Sequence, residues 1–142
     1  MNGTRTILLV DPDVDRRYGL GSALEHAGYD VTLCPGPGRP DYTCLGSHSD
    51  DCPLIDDADA VVLDIRAGDA LGMTGTSPHE LLGLYRSHDR PVVVLAGARG
   101  DLGPLPDLSV RMVTRAEPPV AVVGALRSLL RSAGDRSRRG GG

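Results

Sequence analysis

Short apolar runs recur along this chain at Ile7–Val10, Val31–Leu33, Ala60–Leu63, Val92–Leu95 and Val110–Val113. Five such runs, separated by helical or irregular connections, predict a parallel sheet with helices on its faces. The side chains available for a core support this. There is no Phe and no Trp, and only 4 Tyr, so the interior must be built from Val, Leu, Ile and Ala. That composition suits strands buried on both faces.

The connections differ in character. Between the first two runs the pattern predicts a helix over about Asp15–Ala27, with Leu20, Leu24 and Ala27 on one face and Gly28 as its stop. Gly19 and Gly21 weaken it, each by up to about 1 kcal/mol relative to Ala. The stretch "SPHE" at Ser77–Glu80 has an N-cap serine, a proline in the first turn and a glutamate placed for a capping box. It predicts a helix to about Ser87 that buries Leu81, Leu82 and Tyr85. A third helix is expected from about Pro118 to Ser132, where Val122, Val123, Leu126, Leu129 and Leu130 repeat at helical spacing. In contrast, Cys34–Asp59 is loaded with Pro, Gly, Ser and Asp, and Gly97–Ser109 is too rich in Gly and Pro for more than a turn of helix.

At 142 residues the chain is expected to form one domain over residues 1–133, with an irregular loop at 34–59 and a disordered Arg/Gly-rich tail at 134–142. No run approaches a membrane span, and the N-terminus lacks the regions of a signal peptide, so a cytoplasmic protein is expected. All 15 basic residues are Arg; without Lys, chemistry that needs an ammonium group is excluded. The formal charge of -4 gives no general reason to expect nucleic acid as a partner.

In an open parallel sheet the binding crevice lies beyond the C-terminal strand ends, where the topology switches direction. Two runs deliver an aspartate there: "ILLV" leads to Asp11 and "AVVL" to Asp64. Carboxylates gathered in a crevice raise one another's pKa or recruit a hard cation such as Mg²⁺, which makes Asp11 and Asp64 candidate metal ligands. With such a cation, Asp64 becomes a candidate nucleophile towards a phosphoryl group.

Through these residues the chain resembles the response-regulator receiver family. The acidic strand end, Arg17, Leu20, Leu24 and "GYDV" at Gly28–Val31, followed by "ADAVVLDI" at Ala58–Ile65, carry the resemblance. It implies a doubly wound, flavodoxin-like (βα)5 fold with five parallel strands, here with degraded second and fourth helices. It implies Asp64 as the phosphoacceptor position, Asp11 as the first acid of the pocket, and a sensor kinase or output protein as partner. The chain also departs from the family. The second pocket acid falls on Pro12, the hydroxyl residue ending the fourth strand on Ala96, and the lysine ending the fifth on Arg115 or Thr114. Asp13 could substitute in the pocket or cap the following helix. Arg115 is the candidate to pair with a phosphoryl oxygen, although its planar fork is not an equivalent of an ammonium.

A second constellation lies in the long loop. Cys34, Cys44, His48 and Cys52 offer the ligand types of a tetrahedral zinc site, but without a CxxC pair. The sequence thus favours a single-domain receiver-like signalling protein, acting in a phosphorelay through protein contacts and not as an enzyme. The alternative is a zinc-binding or thiol redox-sensing protein built on the cysteine loop.

Overall fold

The computed structural model describes residues 5–11, 13–34, 57–65, 82–83, 89–97 and 110–140, the last nine as backbone. Its strands are β1 (Thr6–Val10), β2 (Asp30–Cys34), β3 (Ala60–Asp64), β4 (Val92–Ala96) and β5 (Val110–Thr114); its long helices are α1 (Val14–His26) and α2 (Pro119–Gly140). All five strands are parallel, in the order β2-β1-β3-β4-β5. Each strand agrees with an expected apolar run to within a residue at either end. The direction of winding reverses between β1 and β3, and this places a crevice at their C-terminal ends.

Side chains alternate across the sheet with the strand period of two. Ile7, Leu9, Val62 and Val93 face α1 and α2, where they pack with Leu20, Leu24, Val122 and Leu126. Leu8, Val10, Val61 and Val94 line the opposite face with Cys34 and Leu82. Burial on both sides explains why the strand runs read as continuously apolar.

Local chemistry sets the limits of α1. Asp13 is its N-cap, with its carboxylate accepting the Arg16 N–H at 2.9 Å. At the other end Gly28 takes φ +100, and the amides of Gly28 and Tyr29 close back onto the carbonyls of Glu25 and Leu24 at 3.0 and 3.2 Å. This is a left-handed cap that glycine adopts without strain, at the residue expected to stop the helix. Gly21 has a different use. A Cβ there would meet Leu33 Cδ2 at 3.3 Å and Leu9 Cδ2 at 3.8 Å, so its bare face lets α1 settle closely on β1 and β2.

At the other end of the chain α2 corrects an expectation. It starts at Pro119, in the first-turn position that suits proline, but it continues to Gly140, past the expected end at Ser132 and through most of the tail expected to be disordered. Extending a nucleated helix costs far less than starting one, and the arginines of this segment are good helix formers. Most of the expected 77–87 helix lies outside the described residues, but Leu82 is helical and buried. Pro12 and residues 35–56 and 98–109, on which the expected irregular connections and degraded helices fall, also lie outside the described residues.

Candidate functional site

The crevice is built from the strand ends. Asp11 extends β1 by one rung, its N–H donating to the Cys34 carbonyl at 3.0 Å, and Asp64 closes β3. Both carboxylates are 0% exposed. Across β4, the register pairs Ala96 with Thr114, and the Arg115 N–H donates to the Ala96 carbonyl at 2.9 Å. This starts the chain after β5 directly opposite the carboxylates. Thr114 is committed to Glu117, its N–H and hydroxyl both donating to that carboxylate at 2.7 and 3.1 Å. Of the two positions left open by the sequence, Arg115 is therefore the one that enters the crevice.

It meets Asp64 as a fork. Arg115 Nε donates to Asp64 Oδ2 at 2.9 Å and Nη2 donates to Oδ1 at 2.8 Å. From the other side Arg16 Nη1, on the first turn of α1, donates to Asp64 Oδ2 at 3.1 Å. Charge-assisted contacts of this bidentate kind are among the strongest that a protein offers a carboxylate. Both Asp64 oxygens are engaged.

Asp11 is held otherwise. Its Oδ1 accepts the Asp13 N–H at 2.9 Å, and its backbone carbonyl accepts from Arg17 Nη1 at 2.8 Å. Its Oδ2 is buried with no hydrogen-bond partner among the described residues, and Arg16 Nη1 stands 4.0 Å away. Burial, opposed in part by the Asp13 amide and reinforced by the neighbouring Asp64, pushes the Asp11 carboxyl up from 3.8 to about 6.

In topology the chain matches solved receivers. This is the receiver fold. A response regulator receiver protein from Sinorhizobium medicae superposes with a TM-score of 0.65 at 21% identity, over 90% of this chain and 95% of the other. A CheY-like receiver domain protein from Methanospirillum hungatei gives 0.66 at 15%, over 94% and 99%. The receiver domain of the hybrid histidine kinase CckA gives 0.58 at 16%, over 88% and 98%. No family model and no curated protein matches the sequence.

Set against the receiver pattern, the sequence candidates divide. Asp11, Asp64 and Arg115 come together in one pocket. Asp13 does not join them; its exposed carboxylate caps α1, because the bare N–H groups of a first turn are nearer and stronger partners. Arg16 is a site residue that sequence reasoning missed. Cys34 is buried at the end of β2, whereas Cys44, His48 and Cys52 lie outside the described residues.

The donor set does not fit Mg²⁺. Where the resemblance puts a second pocket acid the chain has Pro12, which has no side-chain oxygen; both Asp64 oxygens accept from guanidinium groups; and Arg16 stands between the carboxylates. Among the described residues no three His, Cys, Asp or Glu side chains gather to hold a metal ion. Beside the pocket a cleft of about 260 Å³ opens between α1 and α2, lined by Arg16, Gly19, Leu20, Leu95, Arg115 and Val122 among others.

Proposed function

We propose that this chain is a receiver-like signalling module that acts through protein–protein contacts, with its acid pocket held in one state instead of being cycled by phosphorylation. The observation that carries this reading is the bidentate Arg115–Asp64 contact. A carboxylate attacks phosphorus through an oxygen lone pair, and here each oxygen of Asp64 accepts a charged donor from Arg115, with Arg16 adding a third. Phosphoryl transfer onto Asp64 would require Arg115 to withdraw first. Ala96, where receivers place a hydroxyl residue, supplies no donor to follow such a change. The partner would be a sensor kinase or an output protein that recognises one conformation. Exposed apolar side chains at Val14 and Tyr18, one turn apart on α1, and at Val120 on α2 are available for such a contact.

The test is an amide NMR titration with Mg²⁺ and beryllofluoride, an aspartyl-phosphate mimic, with Asp64→Asn as control. The expected result is a native spectrum that does not change around Asp11, Asp64 and Ile65. Shifts centred there, and absent from the control, would replace this reading with a phosphorelay in which Asp64 is the phosphoacceptor and Arg115 the phosphoryl partner.

A further inference from the structure

We infer that the Arg16 guanidinium is the resident cation of the acid pocket, filling the space between Asp11 and Asp64 that an exchangeable divalent ion would otherwise bridge. The inference deepens the fixed-state reading above and rests on it. Its first support is position: Nη1 lies 3.1 Å from Asp64 Oδ2 and 4.0 Å from Asp11 Oδ2, one nitrogen facing an oxygen of each carboxylate.

Its second support is charge. Two carboxylates with no solvent exposure need compensating positive charge, and Arg16 and Arg115 supply two units against their two. Pro12, at the position the resemblance gives to a second pocket acid, adds no further carboxylate to these two. The third support is anchorage. The Arg16 amide is bound by the Asp13 carboxylate at 2.9 Å, and the Asp13 amide is bound by Asp11 Oδ1 at 2.9 Å, so the backbone that carries the guanidinium is tied to the carboxylate it faces. Arg17 adds its bond to the Asp11 carbonyl.

The replacement is incomplete. At 4.0 Å the Arg16–Asp11 approach is too long for a hydrogen bond, and Asp11 Oδ2 has no hydrogen-bond partner among the described residues. Removal of the guanidinium would take one of two charged donors from Asp64 Oδ2, leaving Arg115 Nε on it, beside an oxygen of Asp11 that has no hydrogen-bond donor among the described residues. Carboxylate oxygens in that arrangement are hard ligands suited to a small divalent cation.

The experiment follows selective broadening of the Asp11 and Asp64 amide signals by Mn²⁺ in the native protein, Arg16→Gln and Arg16→Lys. The native protein and Arg16→Lys, which keeps the charge, should show none at millimolar Mn²⁺, whereas Arg16→Gln should gain it with an apparent affinity at least about tenfold tighter. Broadening in the native protein overturns the inference, and so does an Arg16→Gln protein that remains silent. Should Arg16→Gln fail to fold, the native and Arg16→Lys arms decide: both silent supports the inference, and Mn²⁺ on either overturns it. A native protein that binds Mn²⁺ but ignores beryllofluoride overturns the cation assignment alone. A native protein that responds to beryllofluoride without Mn²⁺ broadening overturns the fixed-state reading alone.

Discussion

Asp11 and Asp64 end neighbouring strands of one sheet, are equally hidden from solvent, and share the same crevice, yet their surroundings are opposite. Asp64 receives three charged donors from two arginines. Asp11 receives one backbone amide, and its other oxygen has no hydrogen-bond partner among the described residues. Burial alone therefore does not decide whether a carboxylate stabilises the fold; the partners do. Asp64 is a point of attachment for two other elements, whereas Asp11 is a charge that the fold tolerates.

The strongest way to test this contrast is to remove the fork. Arg115→Ala takes from the buried Asp64 the two donors of its bidentate partner and should cost about 3 kcal/mol in urea unfolding at neutral pH, since loss of a partner strands a buried charge. A cost below about 1 kcal/mol, the range of exposed ion pairs, would place Asp64 in the same class as Asp11.

Asp11→Asn should act in the opposite direction. Because its folded-state pKa is raised from 3.8 to about 6, the folded protein holds this proton more tightly than the unfolded chain does. The contribution of Asp11 to stability is thus fully present below pH 3.8 and is lost as pH rises through about 6. Asparagine keeps the acceptor for the Asp13 amide without the charge. The variant should therefore be more stable than the native protein by roughly 2 kcal/mol at pH 7.5, with the difference vanishing near pH 4, when the two are unfolded side by side across that range. A constant difference at all pH values would mean that Asp11 is not the group that titrates.

A smaller effect sharpens the role of Arg16. Asp13→Ala removes the cap that fixes the Arg16 amide and should cost about 1 kcal/mol in the same assay. If the cap also positions the guanidinium, Asp13→Ala should admit Mn²⁺ weakly, between the native protein and Arg16→Gln.

The strands were legible in the sequence because both faces of each are buried, so an apolar run carries the signal without help from its neighbours. Asp11 and Asp64 were legible for a related reason, as charges placed directly after such runs. Arg115 was found as a position but not in its role, since whether a guanidinium pairs with a substrate or with its own protein depends on a strand crossing that local pattern does not encode. Arg16 escaped because nothing in "DRRY" separates it from Arg17 until the phase of α1 is known. The signal that could have found it is the Asp13 cap, which sets that phase, together with two strand-end carboxylates facing a single candidate cation, Arg115, and so calling for a second positive charge. The reach of α2 to Gly140 was missed because a polar, arginine-rich segment reads as solvated whether or not it continues a helix begun earlier.

The Arg115–Asp64 fork also crosses a strand. β5 lies at the edge of the sheet and β3 at its centre, with β4 between them, so the contact spans two strand spacings, roughly 9–10 Å. Edge strands ordinarily open first and most often, exchanging their amide hydrogens through local fraying. Here the end of β5 cannot lift away without pulling a charged group off a desolvated partner in the centre. The amides near Thr114 should consequently exchange at rates closer to those of β3 than to those of β2, the opposite edge, and the sheet should open from the β2 side.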